Sequence, residues 1–424
     1  LTRGNIERVE TDPKDTELYL GGLGTNAKIM WDRVGPDVEA FSPENLLIFS
    51  AGLLCGTPAT GCNRTILTTI SPLTKLMAFS MMGGFWAPEL KYAGYDKVIL
   101  RGKSPDLVYI WINNDKVEIR DASHLSGKGS IETAKIIKKE LNEPRAQVAA
   151  IGLAGENRVL FASIEQDRSS ASRGGIGAVM GDKGVKAVVL RGTKDIHLAR
   201  PLEFMESCNE VQEYIKFREK NPIPGVVPIH AVLGSPQEMA IHDEKWHLES
   251  FAWGNSRTRR KNFWSEENEK AFTDTLEMAR TRLISCYNCS LQCGATITMP
   301  GMPTYMMKCF TKLTYLMGAF SDLDFGLKIA QRATEYGVDG YSCPQVMAFA
   351  LELYENNILE DKDFPGMPED NEGRFYYLLD KIVKREGIGD ILANGTHKAA
   401  RQIGRGADAY AHNNIKRQEQ APLK

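Results

Sequence analysis

No stretch of eighteen consecutive apolar residues occurs in the chain, and the greasiest long run, Tyr305 to Phe320, is broken by Lys308 and Lys312. The sequence therefore offers no segment suited to span a bilayer. Neither sign of charge is in excess. The 52 Lys and Arg stand against 54 Asp and Glu, a net charge of −2, and the longest basic block is Arg257-Thr258-Arg259-Arg260-Lys261. That balance argues against nucleic acid as a partner. Cysteine is scarce, eight in 424 residues, too sparse for a disulfide scaffold and expected of a reducing, cytoplasmic compartment. Internal repeats and low-complexity tracts are lacking, and no secretory leader is expected. The first residue is Leu1 rather than Met, and Ala421-Pro422-Leu423-Lys424 forms no closing element, so the sequence reads as part of a longer polypeptide with its last domain truncated.

What is present suits a folded protein of two or three domains, with 42% hydrophobic and 25% charged residues. From residue 18 to about 197 the texture is glycine-rich with short β-runs. Val108 to Ile112, the Asn113-Asn114-Asp115 turn and Val117 to Arg120 read as a hairpin. Further strands are expected at Lys97–Arg101, Gln147–Ile151, Val159–Ile164 and Lys186–Arg191, with one helix over Ile131–Leu141 capped by Ser130. After Pro201 long helical patterns take over: Leu202–Lys220, Glu269–Ile284, Met306–Phe320, Gly326–Tyr336, Pro344–Asn356 and Gly373–Glu386. The expected architecture is an α+β N-terminal domain rich in sheet, residues 1–197, followed by a mainly helical domain, residues 198–424. Between the first two helices, Asn221 to Phe263 holds four prolines and is dense in His, Glu and Trp, which marks it as a functional segment.

The strongest local chemical signal is Cys286-Tyr-Asn-Cys289-Ser-Leu-Gln-Cys293. Three thiols on a short, turn-rich backbone can converge on one metal centre. Iron–sulfur fits better than zinc, because no second Cys or His pair at zinc spacing follows. A fourth ligand is open between Cys309, Cys343 and a residue beyond Lys424. Glycine clusters at Gly21-Gly22-Leu23-Gly24, Gly83-Gly84 and Arg173-Gly174-Gly175-Ile176-Gly177, with Arg64 in Gly61-Cys62-Asn63-Arg64, permit close backbone approach and supply two guanidinium forks. Without the dinucleotide fingerprint, three such clusters in one domain point to a large anionic cofactor. In Glu238-Met-Ala-Ile-His242-Asp-Glu244-Lys-Trp-His247, carboxylates and imidazoles recur at helical spacing, a pattern that can relay protons near neutral pH but also describes a solvated helix face. Cys309 is either a small buried hydrophobe or a soft metal ligand.

Several runs resemble the aldehyde ferredoxin oxidoreductase family of tungsten enzymes. They include Ser42-Pro43-Glu44-Asn45, Ser71-Pro72-Leu73-Thr74, Glu89-Leu90-Lys91-Tyr92-Ala93-Gly94-Tyr95-Asp96, Ile151-Gly152-Leu153-Ala154-Gly155-Glu156-Asn157 and Arg173 to Gly181. The resemblance covers nearly all of the first 190 residues. It implies a tungsten held by two pyranopterin dithiolenes, Mg²⁺ bridging their phosphates, and a [4Fe-4S] cluster on Cys286, Cys289 and Cys293 whose fourth cysteine lies in a C-terminal domain. It further implies that Gly22, Arg64, Gly84, Arg173, Gly174 and Gly175 line the pterins, with Gly337 and Asp339 as the remnant of an Asp-x-x-Gly-Leu-Asp motif that here reads Thr334-Glu-Tyr-Gly337-Val338-Asp339. The acidic Glu-Tyr-Glu type motif of aldehyde-oxidising members is replaced by Pro303-Thr304-Tyr305-Met306-Met307. Cys309 and the His/Glu segment look instead like the tungsten subunits of class II benzoyl-CoA reductases. That likeness implies Cys309 as a tungsten ligand and Glu238, Glu244 and His247 beside the substrate ring. It also implies a CoA thioester substrate, benzoyl-CoA or its dienoyl product, an iron–sulfur electron-transfer subunit or ferredoxin as donor, and a homo- or hetero-oligomer. The other readings are an aldehyde-oxidising enzyme and a cluster-bearing electron-transfer subunit.

Overall fold

The computed structural model describes residues 1–167, 169–220, 278, 280–290, 294–301, 303–308, 323–411 and 414–419. Two sheets build the first half. The four-stranded sheet contains β1 (Leu47–Ala51), β2 (Thr65–Ile70), β3 (Met77–Met82) and β4 (Lys97–Leu100), in the order β3-β2-β1-β4 and antiparallel throughout. The six-stranded sheet is ordered β6-β5-β10-β7-β8-β9, from β5 (Val108–Asn113), β6 (Lys116–Asp121), β7 (Gln147–Ala150), β8 (Ile164–Gln166), β9 (Ser169–Ala171) and β10 (Val185–Arg191). Its one parallel pair is β5 with β10, which needs the long crossover that residues 114–184 supply.

Strands β1 and β10 are buried almost throughout, which is why their sequences, Leu-Ile-Phe-Ser-Ala and Val-Lys-Ala-Val-Val-Leu-Arg, run apolar instead of alternating. The helix Trp86–Tyr92 packs between the sheets. Its Trp86 is fully buried, stacks 5.3 Å from Phe49 and donates its indole N–H to the Val188 carbonyl at 3.1 Å, the partner a buried indole requires. Two lysines are also fully buried. Lys183 Nζ donates to the carbonyls of Asn45 and Gly102, and Lys186 Nζ to the Lys128 carbonyl and the Glu156 carboxylate.

The later region is helical: Pro201–Lys220, Leu323–Tyr336, Ser342–Glu355 and Asn371–Lys384, with shorter helices Ile388–Leu392 and Thr396–Ile403. Their inward faces, including Ile329, Phe349, Leu353, Leu378, Leu379 and Ile382, form a core of their own with Phe161 and Val159 of the first half. Each such buried side chain contributes about 1.5–3 kcal/mol. The sheet-rich first half and helical later region thus stand as expected. Among the described residues no helix is long and apolar enough to cross a membrane.

Four local expectations fail. Val159–Ile164 is not a strand; only Ile164 joins β8. The apolar run is a buried turn whose polar groups are satisfied elsewhere: the Leu160 amide donates to Ala393 O, the Ser163 amide to Gly337 O, and Phe161 O accepts from the Asp339 amide. Full burial between two elements mimics a strand in the sequence pattern. The helices expected over Glu269–Ile284 and Met306–Phe320 give way, where described, to β11 (Arg280–Ile284) and β13 (Tyr305–Lys308), which flank β12 (Gly294–Ile297) in a three-stranded antiparallel sheet. Short apolar runs do not separate the two periods, and cross-strand pairing decides. Finally, Ser130 is the first residue of the helix Ser130–Glu140, not its cap. Its hydroxyl donates to Thr334 O at 2.7 Å, and the Glu335 carboxylate takes the Ile131 and Glu132 amides at 3.0 and 3.4 Å. A distant acid has displaced the local cap.

Candidate metal and cofactor centre

The cysteine loop hangs between β11 and β12. Cys286 is buried, Cys289 is partly buried, and the Cys289 amide donates to the Cys286 carbonyl at 3.3 Å. The intervening Asn288 has φ +42°, a left-handed conformation that Asn tolerates better than most residues. That turn closes the backbone between the two cysteines.

The loop is seated on the first half of the chain by a dense set of hydrogen bonds. The Tyr287 amide donates to Gly84 O at 3.1 Å, and the Gly61 amide and Thr60 hydroxyl both donate to Asn288 O at 3.0 Å. The Asn63 carboxamide donates to Tyr287 O at 3.0 Å, and the Asn288 carboxamide to Pro58 O. Residues 56–63 therefore form a collar around Cys286–Cys289. Within that collar the Cys55 thiol, pushed up to about 11 by burial and bonded to Arg64 O at 3.5 Å, behaves as a packed hydrophobe. The Cys62 thiol is also raised by burial. Arg64 itself is exposed.

A second cluster forms at the turn Arg173–Gly175. Gly174 and Gly175 have φ +78° and +67°, and a side chain on Gly175 would overlap the Leu160 carbonyl and lie 2.8 Å from Pro72 Cγ. Only glycine fits there. The Arg173 guanidinium reaches into the helical region. Its Nη1 donates to Asp339 Oδ2 at 2.9 Å and Ser342 Oγ at 3.5 Å, its Nη2 to the Glu419 carbonyl, and its face lies 5.8 Å from the Tyr341 ring centroid. The Gln418 carboxamide oxygen, turned toward this group, accepts from Arg173 Nη2 and Nε and from the Gly174 amide at 3.3, 3.1 and 3.2 Å. Asp339, fully buried, also accepts from the Tyr341 and Ser342 amides and the Ser342 hydroxyl. Gly337, with φ +71°, turns the chain so that the Asp339 amide meets Phe161 O.

Both clusters meet β3 or the turn that follows it. The Arg173 amide donates to Ser80 Oγ at 3.2 Å, the Gly83 amide to Ser169 Oγ at 3.0 Å, and Gly84 carries the cysteine loop. Four Cα steps lead from Ser80 to Gly84, at most about 14 Å. Gly84, φ +119°, would overlap the Gln166 carboxamide if it bore a side chain. Gly22, φ +51°, opens the helix Gly22–Arg33, and a side chain there would lie 2.9 Å from Cδ1 of Ile66, the β2 residue that pairs with Met81 of β3.

The sequence-predicted residues thus divide. Cys286, Cys289, Gly84, Arg173, Gly174, Gly175, Gly337 and Asp339 gather around β3, the turn after it and the cysteine loop, Arg64 directly follows the collar, and Gly22 packs on β2, the neighbour of β3. Cys343 is fully buried in the helical core. Glu238, Glu244, His247, Cys293 and Cys309 lie outside the described residues. Among the described residues no three His, Cys, Asp or Glu side chains converge as a metal site, since the loop shows two of its three thiols. The donor chemistry nevertheless fits iron–sulfur ligation, with thiols on a tight turn and backbone dipoles around them. Sequence reasoning missed Tyr287, Asn288, Asn63, Tyr92, Gln418 and Glu419. Only Asn288, an Asn between two cysteines, carried a local turn signal.

Comparison with known proteins agrees with this geometry. The model of the aldehyde ferredoxin oxidoreductase N-terminal domain matches residues 1–192, and that of domains 2 and 3 matches residues 210–423. The tungsten-containing aldehyde ferredoxin oxidoreductase of Pyrococcus abyssi is 36% identical over 422 residues, covering 95% of this chain and 66% of its own. The WOR-like subunit of the aliphatic sulfonate oxidoreductase of Pyrococcus furiosus is 30% identical over 440 residues, with the same coverage. A chain of the active site complex BamBC of benzoyl coenzyme A reductase, solved with 1,5-dienoyl-CoA, superposes with a TM-score of 0.95 at 77% identity, over 100% of this chain and 65% of that one. The chain thus spans about two thirds of the length of the relatives it matches. With the family models covering almost all of its residues, the chain belongs to the aldehyde ferredoxin oxidoreductase family.

Proposed function

We propose that this chain is the active-site subunit of a tungsten-dependent benzoyl-CoA reductase, acting in the cytoplasm of an anaerobic cell. The observation that carries the reading is the 77% identity, at a TM-score of 0.95, to a chain of the benzoyl-CoA reductase active site complex, against 36% for an aldehyde-oxidising relative. The reaction would add two electrons and two protons to the benzoyl ring, giving cyclohexa-1,5-diene-1-carbonyl-CoA. The electrons would come from an iron–sulfur partner subunit or ferredoxin within a hetero-oligomer.

Residues 1–197 would form the cofactor-binding domain and residues 198–424 the domain carrying the cluster and the active-site side chains. Cys286, Cys289 and Cys293 would hold a [4Fe-4S] cluster through thiolates. The glycines Gly22, Gly84, Gly174 and Gly175, with Arg64 and Arg173, would hold the two pyranopterins and their Mg²⁺-bridged phosphates, and Gly337 and Asp339 would fix Arg173. Bound there, the tungsten–pterin group supplies low-potential electron chemistry. Cys309 would bind its metal. His247, with Glu238 and Glu244, would hold and deliver protons at the ring, in a site closed to water that would otherwise compete for electrons. Support for the arrangement comes from the Arg173 turn meeting β3 at Ser80 and the cysteine loop meeting Gly84 just after that strand.

The test is substrate-dependent dye reduction by anaerobically purified full-length enzyme. Activity with the dienoyl-CoA, lost in C309A and H247A, is expected. Activity with aldehydes alone would overturn the reading in favour of an aldehyde oxidoreductase, and iron without tungsten would reduce the chain to a cluster-bearing electron carrier.

A further inference from the structure

Tyr92, the last residue of the helix Trp86–Tyr92, and Tyr287 of the cysteine loop bring their hydroxyls to 2.6 Å, and both reach the same acceptor, Gly56 O, at 2.6 and 3.0 Å. Two hydroxyl protons cannot fill three close O···O contacts. If both pointed at Gly56, the 2.6 Å contact between the phenol oxygens would hold no proton and would be repulsive. One hydroxyl must therefore donate to the other, which donates to the carbonyl. The shorter bond to Gly56 belongs to Tyr92, so the chain runs from Tyr287 through Tyr92 to Gly56 O. The rings meet edge-on, with centroids 6.1 Å apart, and Phe85 meets the Tyr287 ring at 6.1 Å and 90°. Gly56 is buried at φ +81°, and a side chain there would lie 2.6 Å from Ile196 Cδ1. The carbonyl is thus held where both phenols can reach it.

We propose that Tyr92 and Tyr287 are paired positioning residues for the iron–sulfur cluster: a shared-acceptor brace that clamps the Cys286–Cys289 loop to the collar and keeps water from it. The inference rests on the reading of Cys286 and Cys289 as cluster ligands. The shared acceptor makes the two hydroxyls redundant. In Y92F, Tyr287, already 3.0 Å from Gly56 O, turns its proton to that carbonyl; in Y287F, Tyr92 keeps its bond to it; in the double variant the buried carbonyl has no phenol partner. The effects are therefore non-additive.

The experiment compares full-length holoenzyme with its partner subunit as wild type, Y92F, Y287F and Y92F/Y287F. Three quantities are read: iron loss to a chelator, the cluster's midpoint potential by EPR-monitored titration, and hydrogen exchange at the Tyr287 and Asn288 amides in metal-free protein. Each single variant is expected to speed iron loss by no more than about threefold, and the double by about thirtyfold, because an unsatisfied buried carbonyl costs more than one exchanged hydrogen bond. Water admitted to the loop favours the more negative reduced cluster. The double variant's one-electron equilibrium is expected to shift by about tenfold, a rise of about 59 mV. Additive effects, or an unmoved potential with unmoved exchange, would overturn the brace. A wild-type holoenzyme without iron would overturn the cluster reading instead, and the exchange rates in metal-free protein would still test the brace.

Discussion

The ion pair between Arg173 and Asp339 joins the glycine turn to the helical region, and its strength can be worked from its surroundings. Asp339 is almost fully buried, whereas about 29% of the Arg173 side chain is exposed. Deleting one partner of a fully buried pair costs about 3–5 kcal/mol. In R173A, however, Asp339 keeps three donors, the Tyr341 and Ser342 amides and the Ser342 hydroxyl, so the expected loss is about 2 kcal/mol. D339A removes the acceptor of all three and orphans the start of the helix Ser342–Glu355, which raises the expected loss to about 3 kcal/mol. The double variant is expected to lose less than the sum, with a coupling of about 1–2 kcal/mol. Urea denaturation followed by far-ultraviolet circular dichroism measures all four proteins. Strict additivity would refute the claim that the pair carries the junction, and an R173A loss exceeding that of D339A would refute the ranking.

Other consequences follow from buried charge and capping. Burial lowers the Lys183 pKa to about 8 from 10.5. Between those values the unfolded chain binds more protons than the folded one, so stability rises with pH from about 8 to 10.5. Below that window the lysine costs about 3 kcal/mol. Melting temperatures across pH 7 to 10.5 are expected to climb more steeply in the wild type than in K183M, and parallel profiles would sink the argument. E335A removes the carboxylate that caps the helix Ser130–Glu140 and is expected to cost about 1 kcal/mol. S130A, which leaves that cap in place, is expected to cost less, and the reverse order in chemical denaturation would contradict the assignment.

Much of the architecture was legible because it depends on local patterns. The hairpin at β5 and β6, the strands at β4, β7 and β10, and the long helices Leu323–Tyr336, Ser342–Glu355 and Asn371–Lys384 follow from alternation, turn residues and amphipathic spacing. What failed depended on distant partners. The run Val159–Ile164 reads as a strand because it is apolar, yet its hydrogen bonds go to Gly337, Asp339 and Ala393. β11 and β13 read as helices because runs of four or five residues cannot declare their period. The site divides the same way. Glycines with positive φ and clustered cysteines announce themselves in sequence. Tyr92, Asn63 and Gln418 do not, because their roles arise from residues at least 36 positions away.

The central claim, that this family member reduces an aromatic ring rather than oxidising an aldehyde, is tested most directly by one paired assay. Tungsten and iron content and dye reduction with dienoyl-CoA and with aldehydes are measured on the same anaerobic preparation of full-length wild type and C309A. The account predicts tungsten and iron in the wild type, dye reduction with dienoyl-CoA, and loss of both tungsten and that activity in C309A. Aldehyde-dependent reduction alone, undiminished in C309A, would contradict it.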